Sequence, residues 1–189
     1  FAGWYSDSSL TTKVSSISTT DVGNKTLYAK WTANAYTITY YDGSTKYTDL
    51  TPTTYTYGKG ATLPTPTKAG YTFAGWYSDS SLTTKVSSIS ATATGNKTLY
   101  AKWIQNEYTI TYYDGNVKLE GLIPTTYIYG KGTELPNYTK TGYMFKGWST
   151  VKDGTTFVEK INSTDIGDKV LYAIFEMNNY KINYELNGG

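Results

Sequence analysis

FAGWYSDSSLTTKVSSIS, residues 73–90, repeats residues 1–18 without a change, and GNKTLYAKW stands both at Gly23–Trp31 and at Gly95–Trp103. A diverged third copy opens with FKGW at Phe145–Trp148 and closes with VLYAIF at Val170–Phe175. Phe1, Phe73 and Phe145 lie a constant 72 residues apart (73 − 1 = 145 − 73 = 72). A fixed period of this size identifies a repeat array. Within the quoted copy, Leu99, Ala101 and Trp103 alternate with Tyr100 and Lys102, the period of a half-buried strand. The intervening stretch, Leu10–Asn24 in the first copy, lacks helical periodicity. It reads as an excursion anchored by Val14 and Ile17 with about one helical turn.

Upstream of residue 73 the same logic recovers the rest of a unit. Gly70-Tyr71-Thr72-Phe73 begins the strand that carries Trp76. Before it, Leu63-Pro64-Thr65-Pro66 is a stiff extended connection, because each proline fixes its own φ and restrains its predecessor. Thr53–Tyr57 reads as a strand ending in the turn Gly58-Lys59-Gly60. Tyr36, Ile38 and Tyr40 share one face of an opening strand that ends in Asp42-Gly43. The chain therefore divides into the C-terminal half of a repeat (residues 1–31), complete repeats at 36–103 and 108–175, and the first strand of a further repeat at 180–189. Joins of about four residues are too short for free tethers, so the units are expected in an elongated, semi-rigid array.

The expected fold class is mainly β, α+β at most. Trp4, Trp76, Trp148, Leu27, Leu99, Leu171, Trp31, Trp103 and Phe175 are the expected core. The 189 residues contain no Cys and no His, so disulfides, thiolate metal sites and the commonest general base are all absent. Stability must come from aromatic burial, and 21 Tyr and 5 Trp supply the rings. A net charge of +2, from 17 basic and 15 acidic residues, leaves no basic stripe for nucleic acid. No apolar run reaches the roughly 18 residues of a membrane helix, so no membrane insertion is expected.

The third copy discriminates between packing and chemistry. It keeps Phe145, Gly147, Trp148, Ile161, Gly167, Leu171, Tyr172 and Ala173, but replaces Tyr77 by Ser149, Asp79 by Val151, Lys85 by Phe157 and Lys102 by Ile174. Among charged positions in this half only Lys25, Lys97 and Lys169 persist. No Ser-His-Asp set, phosphate loop or calcium loop is present, and Gly58-Lys59-Gly60, Asp42 and Asp114 read as turn residues. No catalytic residue, metal ligand or cofactor is expected. Four Asn-x-Ser/Thr triplets, at Asn24, Asn96, Asn137 and Asn162, match the N-glycosylation pattern and read as incidental. Intact mass would reveal a Lys–Asn isopeptide at Lys25, Lys97 or Lys169, which sequence spacing does not support by itself.

Tyr-x-Ile-x-Tyr, then Leu-Pro, then GYTFAGWYSD, then TLYAKW resemble the internalin B-repeat family, also called the Listeria–Bacteroides repeat. The pairing of Gly70-Tyr-x-Phe-x-Gly-Trp76 with Leu99-Tyr-Ala-Lys-Trp103 carries the resemblance, which covers essentially the whole chain. It implies small β-grasp-like (ubiquitin-like) modules in tandem on secreted or wall-anchored bacterial surface proteins, often adhesins, with the repeats as stalks or host-facing contacts. Thr54–Pro64 is not a helical sequence, so the helix of a grasp fold is expected to be reduced or absent.

Two functions are compatible with this reading. One is a structural spacer or filament segment whose partners are adjacent repeats of the same or another copy of the chain. The other is an adhesive module in which Tyr41, Tyr57, Tyr113 and Tyr129 contact a glycan or a host surface protein; the plainer account is that Tyr and Thr suit strands. A head-to-tail contact, with Tyr180–Tyr184 of one molecule beside Leu27–Trp31 of the next, is a further expectation.

Overall fold

The structure, a computed structural model, describes residues 1–188. Two compact units emerge, one comprising Phe1–Pro66 with Gly75–Lys102, the other Thr67–Ala74 with the chain from Trp103 onward. Both are built of strands, and no helix occurs among the described residues. The helical turn expected between Leu10 and Asn24 is absent. Lys13–Val14 instead forms a short strand against the tryptophan strand, with Trp4 opposite Val14.

In the third repeat the opening strand Glu107–Asp114 alternates inward Ile110 and Tyr112 with outward neighbours, as its sequence demands. Asp114-Gly115-Asn116-Val117 folds back in a two-residue hairpin, with Asp114 opposite Val117. Gly115 there takes φ +60°, a conformation strained for other residues. The closing strand Lys169–Met177 lies parallel to the opening strand, pairing Ile110 with Lys169 and Tyr112 with Leu171. On its other side the closing strand pairs antiparallel with the tryptophan strand Tyr143–Ser149, with Trp148 opposite Ala173. A bulge between Phe145 and Gly147 re-aims that strand. The central repeat uses the same parallel register, Ile38 with Lys97 and Tyr40 with Leu99. First and last strands of each repeat thus lie side by side, and among the described residues no helix covers the sheet as it would in a complete β-grasp.

Each complete repeat buries its own set of rings and aliphatic side chains. Trp76, Trp148, Leu99 and Leu171 are buried as expected, together with Ile38, Tyr40, Tyr55, Ile89, Ala101 and their counterparts Ile110, Tyr112, Tyr127, Ile161 and Ala173. Trp103, Phe175 and Leu27 are only half-buried. Trp4 and Trp31 depart from expectation: they are 46% and 73% exposed. Ile17 is exposed too, whereas Ile89 and Ile161 are buried. The reason lies in which strands surround each copy. The Tyr40 ring centre lies 4.7 Å from that of Trp76, and Tyr47 stands edge-on to Trp76 with ring centres 6.0 Å apart. Among residues 1–31 no ring plays the part of Tyr40 beside Trp4; Phe1 stands edge-on to Trp4 and to Trp31.

The expected strand at Tyr180–Tyr184 forms no ladder in the structure. In both complete repeats the equivalent strand is held by strands that come later in the same repeat.

Candidate functional site

The buried tyrosine hydroxyls and the Trp76 and Trp148 indoles are already committed to structure. Tyr40 and Tyr112 donate from their hydroxyls to the carbonyls of Pro52 and Pro124, each at 2.9 Å. Burial pushes both phenols up to about 12, so neither titrates near neutrality. Tyr55 and Tyr127 donate to the carbonyls of Gly95 and Gly167 at 2.6 Å. Trp76 and Trp148 donate from their indoles to Pro64 and Pro136 at 2.7 Å. Each ring therefore ties a loop to the sheet. None presents an activated oxygen or nitrogen to solvent.

The lysine kept in all three copies has a local duty. Lys97 and Lys169 donate to the carbonyls of Thr94 and Ile166, at 2.7 and 3.1 Å, closing the turn before the closing strand. Lys25 instead pairs with Asp21 at 3.6 Å. The carboxylate of Asp79 accepts the backbone N–H groups of Thr83 and Thr84 and the hydroxyls of Ser81 and Thr83. Those hydrogen bonds, the two backbone donors foremost, hold its carboxyl well below the usual carboxylate range. Asp7 organises the first loop in the same way, with the Ser9 hydroxyl as its strongest influence. No cluster of three or more metal-ligating side chains occurs among the described residues.

The four candidate tyrosines separate into two kinds. Tyr41 stacks on Tyr100 at 5.6 Å and 24°, and Tyr113 stacks on Tyr172 at 5.6 Å and 28°. These are cross-strand pairs on the half-exposed face of the parallel ladder, residue 41 opposite 100 and 113 opposite 172. Tyr100 and Tyr172 were missed by sequence reasoning; their outward alternation on the closing strand was the available signal.

Tyr57 and Tyr129 belong instead to the joins. Tyr129 stands edge-on to Tyr71 at 5.3 Å, and its ring lies where a side chain on Gly70 would be, 2.3 Å from that Cβ position. Asn106 ties the place together. Its N–H donates to the Gly70 carbonyl at 2.9 Å and its carbonyl accepts from Tyr129 N–H at 3.0 Å. Its side-chain oxygen accepts from the Thr72 hydroxyl at 2.6 Å. Tyr57, by contrast, is 48% exposed although its N–H is bound to the Asn34 carbonyl at 2.9 Å.

The model of the Listeria-Bacteroides repeat domain matches three times, over residues 1–30, 36–102 and 108–174. The chain belongs to that family. Its relatives include a protein of Evansella cellulosilytica named as a Gly-rich membrane protein, 35% identical over 100% of this chain and 22% of its own length. Internalin H of Listeria monocytogenes is 37% identical over 60% of this chain and 20% of its own length. This Listeria-Bacteroides repeat chain spans about a fifth of the length of such relatives. No helix among its described residues is long and apolar enough to cross a membrane.

Proposed function

We propose that the chain is a non-enzymatic spacer segment of a bacterial surface protein, in which tandem repeats hold other parts of that protein in position. The observation that carries this reading is what survives between the diverged repeats. Trp76 and Trp148, Leu99 and Leu171, and the loop-tying tyrosines recur with the same partners, and they are packing groups. The names of the relatives, membrane proteins and an internalin, agree with a surface location. Small-angle scattering tests the spacer reading. A radius of gyration well above the roughly 16 Å of a compact chain of this length supports it, and a value near that figure contradicts it.

The stacked pairs Tyr41–Tyr100 and Tyr113–Tyr172 favour a second reading, adhesion to a glycan through paired rings. A glycan array followed by titration decides it. Binding that Tyr41→Ala and Tyr113→Ala abolish supports adhesion, whereas binding indifferent to both substitutions removes it.

A further inference from the structure

The outward face of the central repeat carries a row of side chains that its packing does not use. Residues paired across neighbouring strands project from the same side of a sheet. Lys46 stands opposite Tyr41, Tyr41 opposite Tyr100, and Tyr77 opposite Lys85. The strands carrying Tyr100 and Tyr77 are neighbours. Their equivalent positions face each other in both other copies, Tyr28 with Tyr5 and Tyr172 with Ser149. A lysine, three tyrosines and a second lysine therefore cross five strands in one line. At a strand spacing of about 4.8 Å, the four steps of that line span roughly 19 Å.

The row is built of donors. Lys102 adds a third ammonium, 5.2 Å from the centre of the Tyr77 ring. The Lys85 stem lies across the strand at Gly75, its Nζ 3.2 Å from where a Cβ on that glycine would stand. Among the described residues none of Lys46, Lys85 and Lys102 forms an ion pair. The hydroxyls of Tyr41, Tyr77 and Tyr100 have no hydrogen-bond partner there either, unlike those of buried Tyr40 and Tyr55. Asp79, just beyond Tyr77, is engaged by its own loop. Because Tyr41 and Tyr100 stack, their faces cover one another, and the pair offers ring edges and hydroxyl ends. Phenol hydroxyls and ammonium groups both donate to the oxygens of carboxylates and sulfates, and such charge-assisted bonds are the strong ones. Positions 46, 85 and 102 are too far apart in the chain to read as a basic run.

The third repeat dismantles the row while keeping its stacked pair. Tyr113 still stacks on Tyr172. Buried Ser149, Phe157 and Ile174 stand where the central repeat has Tyr77, Lys85 and Lys102. Lys118, opposite Tyr113, is paired with Glu120 at 2.9 Å. What the central repeat has beyond a stacked pair is thus unpaired positive charge and a third hydroxyl. We propose that this row binds an acidic polysaccharide, whose carboxylate or sulfate groups are held by Lys46, Lys85 and Lys102 and by the hydroxyls of Tyr41, Tyr77 and Tyr100. Charge complementarity selects the anion, and a straight row on a face that no described helix covers suits a linear chain. The inference rests on the adhesive reading, which it narrows to one repeat and one class of glycan.

The test is an amide NMR titration of the 189-residue chain with dextran sulfate and, in parallel, with uncharged dextran and with polyglutamate. Dextran sulfate should shift the amides of Tyr41, Tyr77, Tyr100 and Lys102 to saturation and leave those of Tyr113, Tyr172 and Ile174 in place. Its affinity should fall as salt is raised, because the lysines are near the surface. Lys85→Phe with Lys102→Ile installs the third repeat's residues and should weaken binding about tenfold or more, since each change removes a charged donor. Lys102→Arg should retain binding. Tyr41→Phe with Tyr100→Phe keeps the stacked rings, removes only hydroxyls, and should also weaken it. Equal shifts in the third repeat, equal binding of polyglutamate, or affinity unchanged by both double substitutions would overturn the proposal. Dextran bound as tightly as its sulfate would overturn it too, and would leave adhesion standing. So would a neutral glycan that binds through Tyr41 while dextran sulfate shifts nothing.

Discussion

The central and third repeats enclose the same tryptophan with different rings. Trp76 has the Tyr40 ring at 4.7 Å and the Tyr47 ring edge-on at 6.0 Å, centre to centre. Trp148 has Tyr112 at 4.6 Å, but residue 119 is leucine, and the second ring is Tyr138, stacked at 6.3 Å and 29°. Tyr138 occupies the position of Pro66 in the central repeat. The strand register and the loop-tying hydrogen bonds are unchanged between the two. Covering the indole with a second ring is therefore the requirement, while the position that supplies it is free to move. Ring contacts of this kind contribute about 0.5–1.5 kcal/mol beyond area burial.

Removing the shared element should have the largest effect. Trp76→Ala or Trp148→Ala should destabilise its own repeat by about 3–5 kcal/mol. With native stability of roughly 0.05–0.15 kcal/mol per residue, that is most of what a repeat possesses. Trp4→Ala should leave the denaturation midpoint of the complete repeats in place, since Trp4 is already 46% exposed. A midpoint lowered as much by Trp4→Ala as by Trp76→Ala would erase the distinction.

The relocated ring is the next target. Tyr138→Pro, which installs the central repeat's residue, should cost the third repeat about 1–2 kcal/mol. Adding Leu119→Tyr should recover part of that loss, whereas Leu119→Tyr alone should overpack and destabilise. Strict additivity of the two substitutions, measured by urea denaturation, would show that the rings do not share a role.

Trp103 and Phe175 are the same position with and without a polar atom. The Trp103 indole nitrogen is buried and has no hydrogen-bond partner. An unsatisfied buried donor costs on the order of 1–3 kcal/mol, which offsets the larger ring. Trp103→Phe should therefore change stability by less than about 1 kcal/mol, against the several kcal/mol expected for truncating a well-satisfied tryptophan. A large loss would mean that the indole is satisfied after all.

The smallest effect concerns the loops. Asp79 anchors the central loop through its carboxylate, while the third repeat has Val151 there and uses the buried Ser149 hydroxyl, which accepts Val151 N–H at 3.2 Å. The folded-state pKa of Asp79 is depressed. Its contribution is thus present above the ordinary carboxylate range near 3.9 and is lost as pH falls through the folded value. Amide exchange, corrected for its intrinsic pH dependence, should accelerate at Thr83 and Thr84 in acid and stay unchanged at Val151. Equal acid sensitivity in both loops would remove the contrast.

Much of this organisation was legible in the residues themselves. The 72-residue period, the inward alternation of Ile38 and Tyr40, and the burial of Trp76 and Leu99 follow from spacing and polarity. Trp4 and Trp31 carry the same local signal as Trp76 and Trp103, yet they are exposed, because burial depends on distant strands that a local pattern does not contain. Tyr129 looked like a surface tyrosine for a similar reason. Its contact, Gly70, lies 59 residues away (129 − 70 = 59), and a glycine announces space without saying what fills it. The parallel pairing of opening and closing strands was equally invisible, since nothing in either strand names its partner.

The central claim is that each complete repeat is organised around its own tryptophan and keeps packing, rather than chemistry, as it diverges. Residue-resolved hydrogen exchange on Trp76→Ala tests this most directly. Protection should be lost at Tyr40, Leu99 and Ala101 and retained at Tyr112, Leu171 and Ala173. Joint loss at both sets, or full protection at the first, would contradict the account.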